Sequence, residues 1–282
     1  MDNNTESLSV MICGLPASGK TTFLGALSYS INSQEIETSL KYDGLPEDRT
    51  YLNQLAERWL SCESMDRTII GTHNSVELKL RSESSRINLT IPDLSGETWG
   101  HLWDERQTTK DVSDLCKQST GVLLFVHCDQ FVKVQTVNDQ NLQNKALGEE
   151  EVKETAADWL PLEHTPTQTI VVDILQSLSS AGLSDQKRKL VIMLSAWDKT
   201  GQCGQTPTEY LSEHFPLLSQ FLEANFLFTS IKVLGISAQG GDLNTEGEKL
   251  SEYDLPTNRI KVTDHNEVYS DLTLPLKWLL EN

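Results

Sequence analysis

The sequence predicts an α/β fold: a doubly wound, mostly parallel sheet with one antiparallel edge strand and surface insertions. Three observations predict it. Three runs are continuously apolar, Val10 to Cys13, Gly121 to Cys128 and Leu190 to Leu194, as strands covered on both faces of a parallel sheet must be. Two segments alternate apolar with polar residues, Val76 to Leu80 and Ile87 to Ile91. The polar stretch Ser82 to Ser85 between them makes a hairpin whose first strand lies half exposed at the sheet edge. Helical patterns separate the strands, and that alternation places helices on both faces of one sheet.

In chain order, the first strand at Val10 to Cys13 runs into Gly14-Leu15-Pro16-Ala17-Ser18-Gly19-Lys20-Thr21-Thr22 and then a helix through Phe23 to Leu27. A second helix, Tyr51 to Cys62, puts Leu52, Leu55, Trp59 and Leu60 on one face. Trp99 and Trp103 stand four residues apart, the spacing of two side chains packed together against the sheet. Helices are expected at Thr169 to Ser180, Glu209 to Phe226 and Asp271 to Leu280, with a sixth strand at Ile231 to Ile236. A chain of 282 residues with 38% hydrophobic content sustains one large core. One domain spanning 1–282 is therefore expected, with two polar stretches, 134–167 and 240–265, as surface insertions of the kind that carry partner specificity.

The net charge of −18, from 23 Lys and Arg against 41 Asp and Glu, repels nucleic-acid backbones and anionic lipid surfaces alike. Protein partners are expected instead. The basic cluster Lys187-Arg188-Lys189 is expected to be solvated where a strand begins. Five scattered cysteines, Cys13, Cys62, Cys116, Cys128 and Cys203, suit reduced thiols in a cytoplasmic protein, and no Cys-x-x-Cys pair suggests zinc. The acidic N-terminus lacks the features of a signal peptide, and no apolar run reaches the roughly 20 residues of a membrane span. A soluble intracellular protein is the expectation.

Gly14 to Thr22 fits G-x-x-x-x-G-K-[ST] directly after a strand and before a helix. Glycines let the backbone fold into a nest of N–H donors around phosphate, Lys20 reaches the β- and γ-phosphates, and the Thr21 hydroxyl ligates Mg²⁺. The helix that follows adds the positive end of its dipole. At the end of the hairpin's second strand comes Pro92-Asp93-Leu94-Ser95-Gly96-Glu97, where Asp93 can hold Mg²⁺ through water and Gly96 can present an N–H to the γ-phosphate. Taken alone, this phrase reads more readily as a plain turn after a strand. The strand at Leu190 to Leu194 ends in Ser195-Ala196-Trp197-Asp198-Lys199, and the sixth strand ends in Ser237-Ala238-Gln239. Asp198 standing alone has the bland reading of a helix N-cap.

In this order the motifs resemble those of the Ras and translation-factor (TRAFAC) class of GTPases. More narrowly, the phrases at Pro92 to Glu97, Ser195 to Asp198 and Leu274 to Leu280 resemble the bacterial double-GTPase group, whose members are associated with conflict or phage-defence systems. The resemblance implies a Ras-like G domain that binds GTP or GDP with Mg²⁺ and hydrolyses GTP as a switch. It implies that Gly14, Pro16, Ala17, Ser18, Gly19, Lys20, Thr21, Thr22 and Gly96 contact phosphate. It also implies that Ser195, Trp197, Asp198, Lys199, Ser237, Ala238 and Gln239 surround the base, with Asp198 accepting from guanine N1 and N2. Ser195 stands in for the usual Asn as a bridge to the phosphate loop, and Ala196 stands where a lysine stem packs over the base. Thr21, Asp93 and one of Thr68 and Thr72 are the implied metal contacts. Lys20, Glu97, the same threonine and Arg106 are the implied catalytic residues, Arg106 as a cis arginine finger, although pairing with Asp104 or Glu105 on the helix surface is the more ordinary reading of that residue. Glu97 occupies the position of the water-orienting Gln, and a carboxylate beside the γ-phosphate adds repulsion, so slow hydrolysis is expected. Two other readings stay open: an interaction module locked to nucleotide, and a phosphate-loop ATPase or kinase.

Overall fold

A computed structural model describes residues 7–45, 49–65, 76–91, 97–107, 109–134, 160–180, 188–200, 204–224 and 227–281. Among them, nine strands form one sheet: β1 (Ser7–Gly14), β2 (Lys41–Tyr42), β3 (Val76–Arg81), β4 (Arg86–Ile91), β5 (Gly121–His127), β6 (Arg188–Ser195), β7 (Phe228–Ser237), β8 (Lys261–Asp264) and β9 (Glu267–Tyr269). Their spatial order is β2-β3-β4-β1-β5-β6-β7-β8-β9. The five central strands, β4 to β7 with β1 among them, are mutually parallel. β3 runs antiparallel to β4, in the register Val76↔Ile91 to Arg81↔Arg86. This is the expected hairpin, with the two-residue β2 rather than β3 at the very edge, and β3 is buried at every second residue.

The described helices are α1 (Lys20–Ser33), α2 (Arg49–Leu60), α3 (Glu97–Glu105), α4 (Lys110–Gln118), α5 (Pro161–His164), α6 (Thr167–Ser180), α7 (Pro207–His214), α8 (Pro216–Glu223), α9 (Leu243–Ser251) and α10 (Leu274–Leu280). The central strands are apolar throughout because alternate residues feed two cores. Val10, Ile12, Leu123, Phe125, Val191 and Met193 pack with Phe23, Leu27, Trp59 and Leu276 from α1, α2 and α10. Met11, Cys13, Val122, Leu124 and Ile192 face the other side, toward Trp99, Val112, Ile174 and Leu218 from α3, α4, α6 and α8. Each fully buried aliphatic or Phe side chain is worth about 1.5–3 kcal/mol. Trp99 is fully buried in this second core and Trp103 packs at its margin.

Several elements depart from expectation. The helix expected over Glu209 to Phe226 is two, α7 and α8. Pro216 lacks the N–H that a continuous helix needs and pushes Phe215 out of helical geometry, to φ −129° and ψ 55°. Residues 240–265 contribute α9, a 3-10 turn at Pro256–Arg259 and β8, which extends the sheet antiparallel to β7. Arg188 is not solvated. It is 1% exposed and donates to the Cys116 carbonyl, while Lys189 donates to the Leu279 carbonyl (3.3 Å) beside the Trp278 ring. Cys13, Cys116 and Cys128 are buried free thiols and Cys62 is half-buried. Cys203 and most of the 134–167 stretch lie outside the described residues. No described helix is long and apolar enough to cross a membrane.

Candidate nucleotide site

β1 delivers the chain to the phosphate loop and α1 carries it away. Gly19 is the last residue before α1 and adopts φ 90°, a left-handed conformation that glycine takes without strain. A side chain there would also press on Ser195, whose Cβ and Oγ would stand 3.1 and 3.2 Å from the new Cβ. Lys20 is 2% exposed. Its ammonium donates to the carbonyls of Gly14 and Leu15, both at 2.9 Å, and to Ser18 Oγ at 3.3 Å. A buried ammonium must have all its donors satisfied, and here loop oxygens satisfy them. The first turn of α1 presents Thr21 and Thr22, both partly exposed, beside Lys20.

The second wall comes from the strand ends of β6 and β7. Ser195 Oγ donates to the Ser18 carbonyl at 2.8 Å, so the hydroxyl ties the end of β6 to the phosphate loop. Ala196 follows with φ 54° and a 3-10 turn spans Trp197–Thr200. Trp197 lies edge-on to Tyr210, with ring centroids 5.2 Å apart. Asp198 accepts from the Ser237 hydroxyl at the end of β7. Lys199 donates to Asp242 at 2.7 Å and lies 3.5 Å from Asp129. Asp242 in turn caps α9 through the Asn244 N–H (2.8 Å). The bond to Asp242 raises the Lys199 pKa above its ordinary value, and the same bond lowers that of Asp242. The Ala238 carbonyl accepts from the fully buried Trp59 indole at 2.8 Å, and Gln239 lies against the Cys62 thiol at 3.8 Å.

Between these walls is a cavity of about 280 Å³, lined by Gly19, Thr22, Ser195, Asp198, Ala238 and Gln239 among others. A larger open groove of about 950 Å³, beside Lys41, Arg81 and Lys277 at the β3–β4 turn, contains none of the residues expected to bind nucleotide. Residues of the smaller cavity that belong to no nucleotide motif include His127 from the end of β5, Gln130 just beyond it, Ser64 and Met65 after α2, and Asp242 and Asn244 at the start of α9. Only the histidine left a signal, as the one polar side chain closing an apolar strand.

Glu97 is the first residue of α3, where the helix dipole favours a negative charge. Arg106, at the C-terminal end of α3 with φ 55°, pairs with Asp173 of α6 rather than with Asp104 or Glu105. Asp93, Gly96, Thr68 and Thr72 lie outside the described residues.

Similar solved structures include bacterial selenocysteine-specific elongation factor EF-Sec, at 14% identity and TM-score 0.36 over 86% of this chain and 28% of that one. The Ski7 GTPase-like domain of S. cerevisiae, bound to GDP and inorganic phosphate, matches at 16% identity and TM-score 0.46 over 90% and 48%. The small GTPase Arl6 of Trypanosoma brucei matches at 14% identity and TM-score 0.38 over 88% and 96%. This chain thus spans 28% and 48% of the length of the first two proteins. No curated protein matches the sequence. The family model Double-GTPase 1 matches residues 11–279, from the first strand through the last helix, and the chain belongs to that family.

Proposed function

We propose that this chain binds GTP and GDP through the cavity between its phosphate loop and the ends of β6 and β7, and hydrolyses GTP slowly as a molecular switch. One observation carries the reading: a single cavity is bordered by Gly19 and Thr22 at one side and by Asp198, Ala238 and Gln239 at the other. Phosphate oxygens would draw the Lys20 ammonium from the Gly14 and Leu15 carbonyls. The Asp198 carboxylate would accept the guanine N1 and N2 donors, which adenine cannot match. The donor set also suits Mg²⁺: Thr21 offers a hard hydroxyl oxygen at the start of α1, phosphate oxygens and waters complete such a shell, and Asp93 with Thr68 or Thr72 are the further candidates. Bound there, the ion would neutralise charge developing on the phosphates.

The free thiols and acidic surface fit a cytoplasmic protein acting with protein partners, and the family membership fits a bacterial defence or conflict system. Nucleotide binding with little turnover is the second reading. It is favoured by Glu97, a carboxylate where a neutral amide would orient water, and by Arg106, held by Asp173 on α6.

Calorimetric titration with GDP, GTP and ATP in the presence of Mg²⁺ tests the binding. Tight GDP and GTP binding with weak ATP binding is expected, together with its loss in Lys20→Ala. Equal affinity for ATP, or a Lys20→Ala variant that binds normally, overturns the reading. Single-turnover GTP hydrolysis then separates a switch, with a measurable slow rate, from a nucleotide-locked module with none.

A further inference from the structure

β5 ends in His127, paired in register with Ser195 of β6, and the imidazole lines the same cavity as Asp198. Its Nδ1 accepts from the backbone N–H groups of Asp129 (3.1 Å) and Gln130 (2.9 Å). A backbone N–H can only donate, so Nδ1 keeps its lone pair and the ring hydrogen resides on Nε2. Burial works in the same direction, lowering the pKa of His127 below its ordinary value and keeping the ring neutral. Nδ1 is turned to the 128–130 loop, so Nε2 is the nitrogen left to face the cavity, and no described residue accepts its hydrogen. His127 therefore contributes a fixed donor to a site where the Asp198 carboxylate only accepts. Ser195 cannot serve instead, because its single hydroxyl hydrogen is already given to the Ser18 carbonyl.

Guanine carries two acceptors, O6 and N7, on the edge away from its sugar. With the Watson–Crick edge at Asp198 and the phosphates at Lys20, the purine's five-membered ring would be turned toward β1 and β5. N7 is then the acceptor nearest the end of β5. We propose that His127 Nε2–H donates to N7 of the bound guanine, making it a base-positioning residue from a strand that carries no nucleotide motif. This rests on the guanine reading above.

The test compares GDP with 7-deaza-GDP, which replaces N7 by C–H and keeps O6 and the N1 and N2 donors. The native protein is expected to bind the analogue roughly five- to tenfold more weakly, the worth of one neutral hydrogen bond. His127→Ala should weaken GDP by a similar factor and bind the two nucleotides alike. Equal affinity of the native protein for both, a comparison that needs no variant, overturns the inference. So does a His127→Ala protein that still discriminates. If the native protein binds neither nucleotide, the guanine reading falls and this one with it.

Discussion

Lys20, Ser195 and Asp198 were legible as residues of one cavity region because each belongs to a short motif at the end of a strand. Lys20 follows the glycine that opens α1, and the bridge from Ser195 to Ser18 forms as the residue type and strand-end position suggest. His127 left only a faint signal, because one histidine at the end of an apolar run says nothing of the two backbone N–H groups its ring accepts. The same geometry makes a pH prediction. Folded His127 resists protonation, while the unfolded residue titrates near its ordinary 6.5. The unfolded chain therefore binds the extra proton, and stability present above about pH 6.5 is lost progressively below it. Asp129 and Asp198 oppose this depression of the pKa, whereas Lys199 reinforces it. Urea midpoints measured from pH 8 to pH 5 should fall on the acid side, and His127→Gln should flatten part of that fall. An identical slope in both proteins would refute the assignment.

At the scale of elements, the turn that carries Asp198 is seated by a missing side chain. Gly235 in β7 lies under Trp197, and a Cβ there would stand 2.5 Å from the indole ring. Gly235→Ala must push Trp197 outward, and with it the Trp197–Thr200 turn and the carboxylate of Asp198. Overpacking of this kind costs about 1–3 kcal/mol. The expected outcome is a lower denaturation midpoint together with weaker GDP binding, whereas unchanged affinity would show that the turn moves independently of Trp197. Pattern reasoning found the long strands because both faces of the sheet demand apolar residues. It missed β2, β8 and β9, which have two to four residues each, too few to establish a period of two.

At the scale of the molecule, the C-terminal segments close over α1 and α2. Arg259 is 2% exposed, stacks 4.1 Å from the centroid of the Trp59 ring, and donates to the carbonyls of Pro256, Trp59 and Leu250. Asp271 accepts from the Ser39 N–H and Thr273 from the Leu40 N–H, which joins the chain after β9 to the chain before β2. Arg259→Ala would leave three carbonyls short of a donor and bare the Trp59 ring, at a cost of about 2–4 kcal/mol. Urea unfolding should show a lower midpoint with unchanged cooperativity, and loss below about 0.5 kcal/mol would mark the stack as dispensable. The sequence by itself determined the sheet's parallel centre, its antiparallel hairpin and the phosphate loop, because periodicity and glycine-dependent turns act between near neighbours in the chain. Only the tertiary structure decided that residues 240–265 extend the sheet, that Arg106 meets Asp173 and that His127 shares a cavity with Asp198. Those contacts join residues from 24 to 71 positions apart, and which distant side chains meet is set by how the helices and strands pack, which no local pattern records.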